Sequence, residues 1–245
     1  METLTWEVHE VYGYIGARKV ELMISEIFFA RKLRHNVRKI LASCDRCQRT
    51  KYPNKINNVP AQFILPEKPG DLLSIDFKGP MPLARGQMRY LLVGIDAFSK
   101  FVVLYPLRKA TTKIIISKIF GDYVSKYGKP RRIQSDQGSQ FTSKLWCERL
   151  KNEGIEMVLS CVRHPQSNMI EMVNRKIGRF LRTLVTGKHG NWINYVEAIQ
   201  NCLNVTCHET TQLTPIELHL NIKPNRIWQN YIHIPEALKS ELGYE

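Results

Sequence analysis

Three acidic residues have the side chains and surroundings that metal-dependent phosphodiester chemistry requires. Asp76 lies in Ile-Asp-Phe-Lys-Gly-Pro, Asp136 lies in Ser-Asp-Gln-Gly-Ser-Gln-Phe, and Glu171 follows His-Pro-Gln-Ser-Asn, 35 positions after Asp136. Two magnesium ions held about 3.5–4 Å apart need carboxylate oxygens from several directions. A fold that brings these three side chains together could therefore hold a metal pair.

Each acid also has a purely structural explanation. Asp76 could cap a strand end, Asp136 could be a turn residue before Gln-Gly, and Glu171 could compensate the dipole of a helix in its first turn. Taken singly, each of these explanations is at least as good as a catalytic one. The order and sequence context of all three together favour the metal site.

The elements that must position these acids follow an α/β pattern from residue 71 onward. Short segments rich in apolar residues and bounded by turn signals predict strands at 71–77, 89–95, 101–105, 132–135 and 156–161. Apolar residues at helical spacing predict helices at 112–127 and 143–153, one beginning near Ser167 or Asn168, and one from about Asn191. This order predicts a mixed five-stranded sheet with flanking helices, which fits the ribonuclease H-like arrangement.

The predicted domains are unequal in size. Residues 1–50 read as a small all-helical unit, and residues 51–70 have the proline-rich composition of a linker. A catalytic core is expected at 71–225, followed by a tail at 226–245. A helical unit of about 50 residues buries little surface and often needs a metal for stability.

The charge of the chain indicates a polyanionic partner. The formal net charge is +14 with a pI near 9.6, and residues 31–55 contain nine Lys or Arg against one acid, Asp45. Nucleic acid is the first expectation, and a soluble basic protein with a solvated charged face is the alternative. The chain has no apolar run of about 18 residues, so no membrane span is predicted.

Several ordered motifs resemble integrases of the gypsy class of long-terminal-repeat retrotransposons, which are related to retroviral integrases. The resemblance runs from about Leu4 to about Pro224. The matching segments are Trp-Glu-Val-His at 6–9, Gly13 and Gly16, Ser-Cys-Asp-Arg-Cys-Gln-Arg at 43–49, Ile-Asp-Phe-Lys-Gly-Pro at 75–80, Ile-Asp-Ala-Phe-Ser-Lys at 95–100, Ser-Asp-Gln-Gly at 135–138, His-Pro-Gln-Ser-Asn at 164–168 and Thr-Pro-Ile-Glu-Leu at 214–218.

The resemblance implies that Asp76, Asp136 and Glu171 bind two Mg²⁺ or Mn²⁺ ions. One ion would activate the attacking group and the other would stabilise the leaving oxygen. The attacker is expected to be water, which trims the element's DNA end, and then the freed 3′-hydroxyl, which attacks target DNA. The implied partners are double-stranded DNA and further copies of the chain, and the implied location is the nucleus. Asp96 is also typical of the family, as a hairpin residue outside the active site.

The resemblance also suggests residues that contact DNA. Arg175, Arg179 and Arg182 are expected on the exposed flank of the Glu171 helix, opposite its apolar stripe. Arg175 lies one turn from Glu171, so it could grip the DNA end or merely pair with that carboxylate. Gln166 and Ser167 are weaker candidates in the loop beside the site.

The expected N-terminal zinc site is incomplete. Integrases of this kind carry two His and two Cys around zinc, and His9, Cys44 and Cys47 match three of these ligands. The second His is replaced by Tyr14, a poor ligand because its hydroxyl must lose a proton near pKa 10. His35 is a possible substitute, and the metal-free alternative is that Cys44 simply packs in an apolar stripe. Weak or degraded zinc binding is the expectation.

Further departures leave other functions open. Met169 and Met172 stand where the family commonly has Pro and Arg. The chain also ends soon after Thr-Pro-Ile-Glu-Leu, which suggests a fragment, a truncated element copy or a host-adopted remnant. The alternatives to an active integrase are a catalytically silent DNA-binding or partner-binding remnant and, more weakly, a ribonuclease H-like nuclease without joining activity.

Overall fold

The computed structural model of the protein describes residues 1–50, 66–159, 169–185 and 189–224. The first part is all helical, as predicted. It consists of α1 (Glu2–Val11), α2 (Ala17–Ser25), α3 (Leu33–Ala42) and α4 (Asp45–Thr50). Within the described ranges, no helix is both long enough and apolar enough to span a membrane.

The first three of these helices enclose a core of their own. Apolar side chains recur at helical spacing and are buried, so each helix presents one face to the others. The buried members are Val8, Tyr12, Ile15, Val20, Met23, Ile24, Val37 and Leu41. Beside this core, His9 of α1 lies next to Cys44, which precedes α4, and Cys47 of α4.

The predicted mixed five-stranded sheet is confirmed. Its strands are β1 (Leu72–Lys78), β2 (Tyr90–Asp96), β3 (Val102–Leu107), β4 (Arg132–Ser135) and β5 (Glu156–Leu159), and their spatial order is β3-β2-β1-β4-β5. β1 pairs antiparallel with β2 and parallel with β4. The carboxyl ends of β1 and β4 therefore meet at one edge, where α/β sheets place their ligands.

Helices cover both faces of the sheet. One face carries α5 (Thr112–Ile116), a π-helical segment (Ser117–Tyr123), α6 (Val124–Tyr127), α7 (Ser139–Thr142) and α8 (Lys144–Asn152). The opposite face carries α9 (Met169–Leu184) and α10 (Val196–Val205). Because side chains alternate along a strand, Leu73, Ile75 and Phe77 pack against the first layer while Asp76 faces α9.

Some details differ from the prediction. The helix expected at 112–127 is interrupted by the π-helical segment, and the last long helix begins as a 3₁₀ segment (His189–Tyr195) before α10. A further helix, α11 (Pro215–Leu220), forms in Thr-Pro-Ile-Glu-Leu. Thr214 and Glu217 cap each other at its start, and Pro215 fits the first turn because its missing N–H is not needed there.

The hairpin role expected for Asp96 agrees with the structure. Its buried carboxylate accepts hydrogen bonds from the Ser99 backbone N–H at 2.7 Å and from the Gly70 N–H at 2.8 Å. The Ser99 hydroxyl also lies 2.9 Å from Nδ1 of His219 in α11. Asp96 therefore fixes the β2–β3 turn and its attachment to α11.

The helical N-terminal part packs on α9. A methyl group at Gly13 would lie 2.1 Å from Cε1 of Phe180, so only glycine fits beneath that ring. The Thr183 hydroxyl donates to the Thr50 hydroxyl at 3.2 Å. α9 is thus enclosed by the sheet on one side and by α4 and its neighbours on another.

Candidate active site and N-terminal metal site

Asp76 lies near the carboxyl end of β1 and is half-buried. Its Oδ1 accepts the Phe77 N–H at 2.7 Å. Burial is the main reason that its pKa is raised to about 6, and the negative charge of Asp136 raises it further. The two carboxylates therefore lie close enough for their charges to interact, at the ends of the paired strands β1 and β4.

Asp136 begins the loop after β4 and is exposed. Its Oδ1 accepts the Gly138 N–H at 3.0 Å, which fixes the carboxylate against its own loop. A methyl group at Gly138 would lie 3.0 Å from that same oxygen and 2.8 Å from Oε1 of Gln140. The glycine of Ser-Asp-Gln-Gly therefore allows a close approach that other residues would hinder.

α9 supplies Glu171 in its first turn and Asn174 one turn later. Nδ2 of Asn174 donates to Oδ2 of Asp76 at 2.7 Å, which joins the start of α9 to β1. Oδ1 of Asn174 is buried and has no hydrogen-bond partner among the described residues. Residues three apart share a helix face, so Glu171 lies on the Asp76 side of α9.

The three carboxylates share one edge of the fold without converging into a ligand set. In the described part of the chain, the one group of three or more side chains that converge as metal ligands is His9, Cys44 and Cys47. Like charges at Asp76 and Asp136 repel, and positive charge between them is what would bring them closer. The all-oxygen donors and the unpaired Asn174 oxygen suit a hard divalent cation.

Asn174 was not predicted as a site residue from the sequence. Its only signal was the three-residue spacing from Glu171, which places both residues on one face of a helix. An Asn at such a position is as common on a solvated helix face as in a functional site. The contact between Asn174 and Asp76 could therefore be identified only in the tertiary structure.

Binding of Mn²⁺ at the carboxylates is expected to weaken about tenfold per pH unit as the pH falls below about 6, because a proton competes for the Asp76 carboxylate. Without metal, the raised pKa of Asp76 means that the folded state binds this proton more tightly than the unfolded state. Stability without metal should thus fall as the pH rises from about 4 to about 6. Calorimetric titration at several pH values tests this, and an affinity that stays constant down to about pH 5 would contradict it.

Asn174→Ala is expected to weaken Mn²⁺ binding at neutral pH by about tenfold, because the charged form of Asp76 loses a donor. The midpoint of the pH dependence should move to higher pH, which a purely structural change would not cause. Exposed Asn152→Ala, at the end of α8, is the matched control. An unshifted midpoint in Asn174→Ala would show that the hydrogen bond does not tune the site.

Basic side chains lie near the carboxylates. Arg175 is exposed, and within the described residues it forms no salt bridge with Glu171. Arg182 is also exposed and, like Lys78, lies against Gly178, with Lys78 close enough to interact with Asp76. Lys78 was not among the predicted site residues, although it lies two positions after Asp76.

Arg179 differs from the expected exposed position. It lies beneath the N-terminal helices, close enough to interact with Cys47, and its Nε is buried without a hydrogen-bond partner among the described residues. The reason is that α9 packs against both the sheet and α4. Arg179 lies on this covered part of the helix and not on its solvent-exposed flank. Gln166 and Ser167 lie outside the described residues.

The N-terminal ligands have the geometry of a zinc site. Nδ1 of His9 lies 2.8 Å from the Ile15 carbonyl, so Nδ1 carries the proton and Nε2 is left to bind metal. Nε2 lies 3.4 Å from Sγ of both Cys44 and Cys47. Tetrahedral zinc with bonds of about 2.05 Å to nitrogen and about 2.3 Å to sulfur separates these atoms by about 3.6 Å. Three ligands are thus placed for zinc.

Tyr14 packs beside these three ligands but lacks the properties of a fourth zinc ligand. Its ring lies edge-on to His9 at 5.2 Å, and its hydroxyl accepts from Nη1 of Arg46 at 2.9 Å. Burial raises the pKa of Tyr14 above its usual value, which disfavours the phenolate that zinc would need. His35 is exposed on α3 and lies outside the ligand group, so it is not the substitute.

Comparisons with known proteins match both parts of the chain. Residues 66–165 match the family described as integrase core domain, and residues 1–53 match the integrase zinc binding domain. The Pro-Pol polyprotein of feline foamy virus is 30% identical over 238 residues, covering 97% of this chain and 20% of the polyprotein. The Transposon Tf2-3 polyprotein of Schizosaccharomyces pombe is 29% identical over 205 residues, covering 81% of this chain and 15% of the polyprotein. The chain therefore spans a fifth or less of these relatives.

A solved structure shares the fold. A chain of the simian T-cell lymphotropic virus intasome superposes with a TM-score of 0.59 at 15% identity, covering 95% of this chain and 76% of that one. At this identity the likeness concerns the arrangement of helices and strands, including the helical part before the sheet.

Proposed function

We propose that this chain, which belongs to the integrase family, catalyses metal-dependent processing of DNA 3′ ends and their transfer into target DNA. The observation that carries the proposal is the hydrogen bond from Asn174 to Asp76, which brings the Glu171 end of α9 to the carboxylates of β1 and β4. The nearby Lys78 and the exposed Arg175 and Arg182 provide positive charge for phosphates.

The proposed ligands of two Mg²⁺ or Mn²⁺ ions are Asp76, Asp136 and Glu171. When bound, such ions activate water or a 3′-hydroxyl and stabilise the leaving oxygen. Asp76 must be deprotonated to act as a ligand, and Asn174 favours that state by donating to it. The Gly138 N–H orients the carboxylate of Asp136, so the two strand-end acids keep fixed directions.

We propose that the joining of DNA ends by this chain requires several copies. Two DNA ends must be joined in a coordinated way, and the chain carries a net charge of +14 that suits long polyanions. The expected setting is the nucleus, where target DNA is found. Cross-linking and light scattering of the chain with duplex DNA test the multimer, and a particle with one copy per duplex would contradict it.

A strand-transfer assay with a labelled duplex and Mn²⁺ tests the main proposal. Joined products are expected from the wild-type chain and should be absent from Asp136→Asn. Cleavage without joining would instead indicate a ribonuclease H-like nuclease. A mobility shift without any reaction would indicate a non-enzymatic DNA-binding protein.

The non-enzymatic function is the second candidate, and a specific observation favours it. Met172, directly after Glu171, is 48% exposed where the family commonly has Arg, so one positive charge is missing beside the site. A remnant of this kind would keep the fold and bind nucleic acid through its basic surface.

A further inference from the structure

Three metal-ligating side chains converge within the N-terminal helices, one short of a closed zinc site. Nε2 of His9 lies 3.4 Å from the sulfur atoms of both Cys44 and Cys47, and the three ligand atoms all lie within 4.8 Å of one another. Structural zinc sites are almost always closed by a fourth protein ligand, and Tyr14 does not supply one. The donor set therefore fits a metal that is satisfied by three ligands better than it fits zinc.

A water molecule is also a poor fourth ligand at this position. The three ligand residues are buried, with at most 5% of their surface exposed. The rings of Tyr14 and Trp6 lie edge-on to the histidine ring, with centroid distances of 5.2 and 5.9 Å. Trp6 and Leu184 also pack against Tyr14 and the two cysteines. A metal-bound water needs space and polar partners, and these surroundings are mainly apolar.

The chemistry of the three donors favours a soft monovalent ion. Thiolate sulfur selects soft metals, and Cu⁺ and Zn²⁺ both combine thiolate with imidazole ligands. Cu⁺ has a filled d shell and half the charge of Zn²⁺, so three donors, two of them anionic, are sufficient for it. Zn²⁺ with the same donors would still attract a fourth. A buried site with three soft ligands and apolar surroundings therefore suits Cu⁺.

Arg179 of α9 supplies the charge that such a complex needs. Two thiolates, a neutral imidazole and Cu⁺ add up to one negative charge, whereas the same ligands with Zn²⁺ are neutral. The Arg179 guanidinium is close enough to Cys47 to interact with its charge, and the buried Nε has no hydrogen-bond partner among the described residues. Within those residues Arg179 also forms no salt bridge. A negatively charged complex would compensate this cation.

We propose that His9, Cys44 and Cys47 bind one Cu⁺ ion in a three-coordinate site. Arg179 neutralises the resulting complex. The histidine ring donates from Nδ1 to a backbone carbonyl at 2.8 Å, so the lone pair of Nε2 is left for the ion. Tyr14, in place of the expected histidine, thus changes which metal the N-terminal helices select. Copper binding at this site and DNA joining at the carboxylates can be tested separately.

Copper binding is measured on the full chain without oxygen and with a reductant present, by competition with the coloured Cu⁺ chelator bicinchoninate. One Cu⁺ per chain is expected, and X-ray absorption at the copper edge should show two sulfur atoms and one nitrogen. Cys47→Ser removes one ligand and should weaken Cu⁺ binding on the order of 100-fold or more. Cys147→Ser changes a half-buried cysteine on α8 and, as the matched control, should leave the affinity unchanged.

Two further variants test the selectivity and keep every ligand in place. Tyr14→His offers the fourth ligand that Zn²⁺ needs and Cu⁺ does not, so the ratio of the Cu⁺ to the Zn²⁺ association constant should fall on the order of 100-fold. Tyr14→Phe should leave this ratio unchanged. Arg179→Gln should lower the Cu⁺ affinity about tenfold and leave the Zn²⁺ affinity unchanged, because the zinc complex is neutral. Lys126→Gln, on the exposed surface of α6, should alter neither affinity.

Any of three results would overturn the proposal. They are a fourth ligand in the X-ray absorption spectrum of the copper-loaded chain, a Cu⁺ to Zn²⁺ ratio that Tyr14→His does not change, and equal Cu⁺ affinities of Cys47→Ser and Cys147→Ser. The last result would place the ion at other thiols. The strand-transfer assay uses the copper-free chain with Mn²⁺, so a failure of DNA joining leaves all of these measurements unaffected.

Discussion

Asp136→Asn is expected to reduce strand transfer by on the order of 1000-fold. The carboxylate is a proposed metal ligand, and losing several kcal/mol of charge stabilisation at about 1.4 kcal/mol per tenfold gives this magnitude. The fold should tolerate the change, because Asp136 is exposed and Oδ1 of Asn can still accept the Gly138 N–H. The measurement is the rate of joined product with Mn²⁺ under single-turnover conditions.

Two comparisons show whether the loss is specific. Glu148→Gln neutralises an exposed acid on α8 and should retain the full rate. Asp76→Asn should cost about as much as Asp136→Asn, and the double variant should cost little more, because ligands of one metal pair act as a unit. Joining that survives Asp136→Asn within about tenfold would contradict the proposed role of this carboxylate.

Tyr14→His is expected to tighten zinc binding on the order of 100-fold, because it adds the fourth ligand that a closed structural site needs. At saturating zinc, such a gain in affinity stabilises the fold by about 2.7 kcal/mol. The variant also loses the hydrogen bond between Tyr14 and Arg46, which contributes about 1 kcal/mol. The melting temperature should therefore rise in zinc and fall in chelator.

Tyr14→Phe is the matched control for this experiment. It removes the hydroxyl that bonds to Arg46 and adds no ligand, so its melting temperature should fall by a similar amount with and without zinc. Metal content measured by atomic absorption, together with thermal unfolding, separates the two variants. Equal zinc content in Tyr14→His and Tyr14→Phe would show that the fourth ligand position cannot be restored from residue 14.

The zinc prediction concerns what stabilises the fold of the N-terminal part. Its eight buried apolar residues form a core that does not depend on the metal. Arg46, between the two cysteines, donates a hydrogen bond to Tyr14 and lies 5.2 Å from the centre of its ring. This contact joins the segment that carries the cysteines to the segment that carries His9, and it does not need zinc. We expect this part to remain folded in chelator, although less stable.

The sequence alone predicted the elements that are strongly periodic. β1 alternates apolar and polar residues, β2 is a short apolar run, and helices such as α9 repeat apolar residues every three to four positions, so local pattern was sufficient. The interruption of the helix at 112–127 by a π-helical segment was not predictable, because nothing in Ser117–Tyr123 breaks the helical spacing. The 3₁₀ segment before α10 escaped prediction for the same reason.

By itself, the sequence determined the resemblance to integrases, the three candidate acids and the three zinc-ligand types, since these depend on residue identity and order. Only the tertiary structure decided that Asn174 touches Asp76 and that Arg179 lies under the N-terminal helices. These contacts join residues from different elements. Their distances depend on how the N-terminal helices and the sheet pack around α9, and no local pattern encodes that packing.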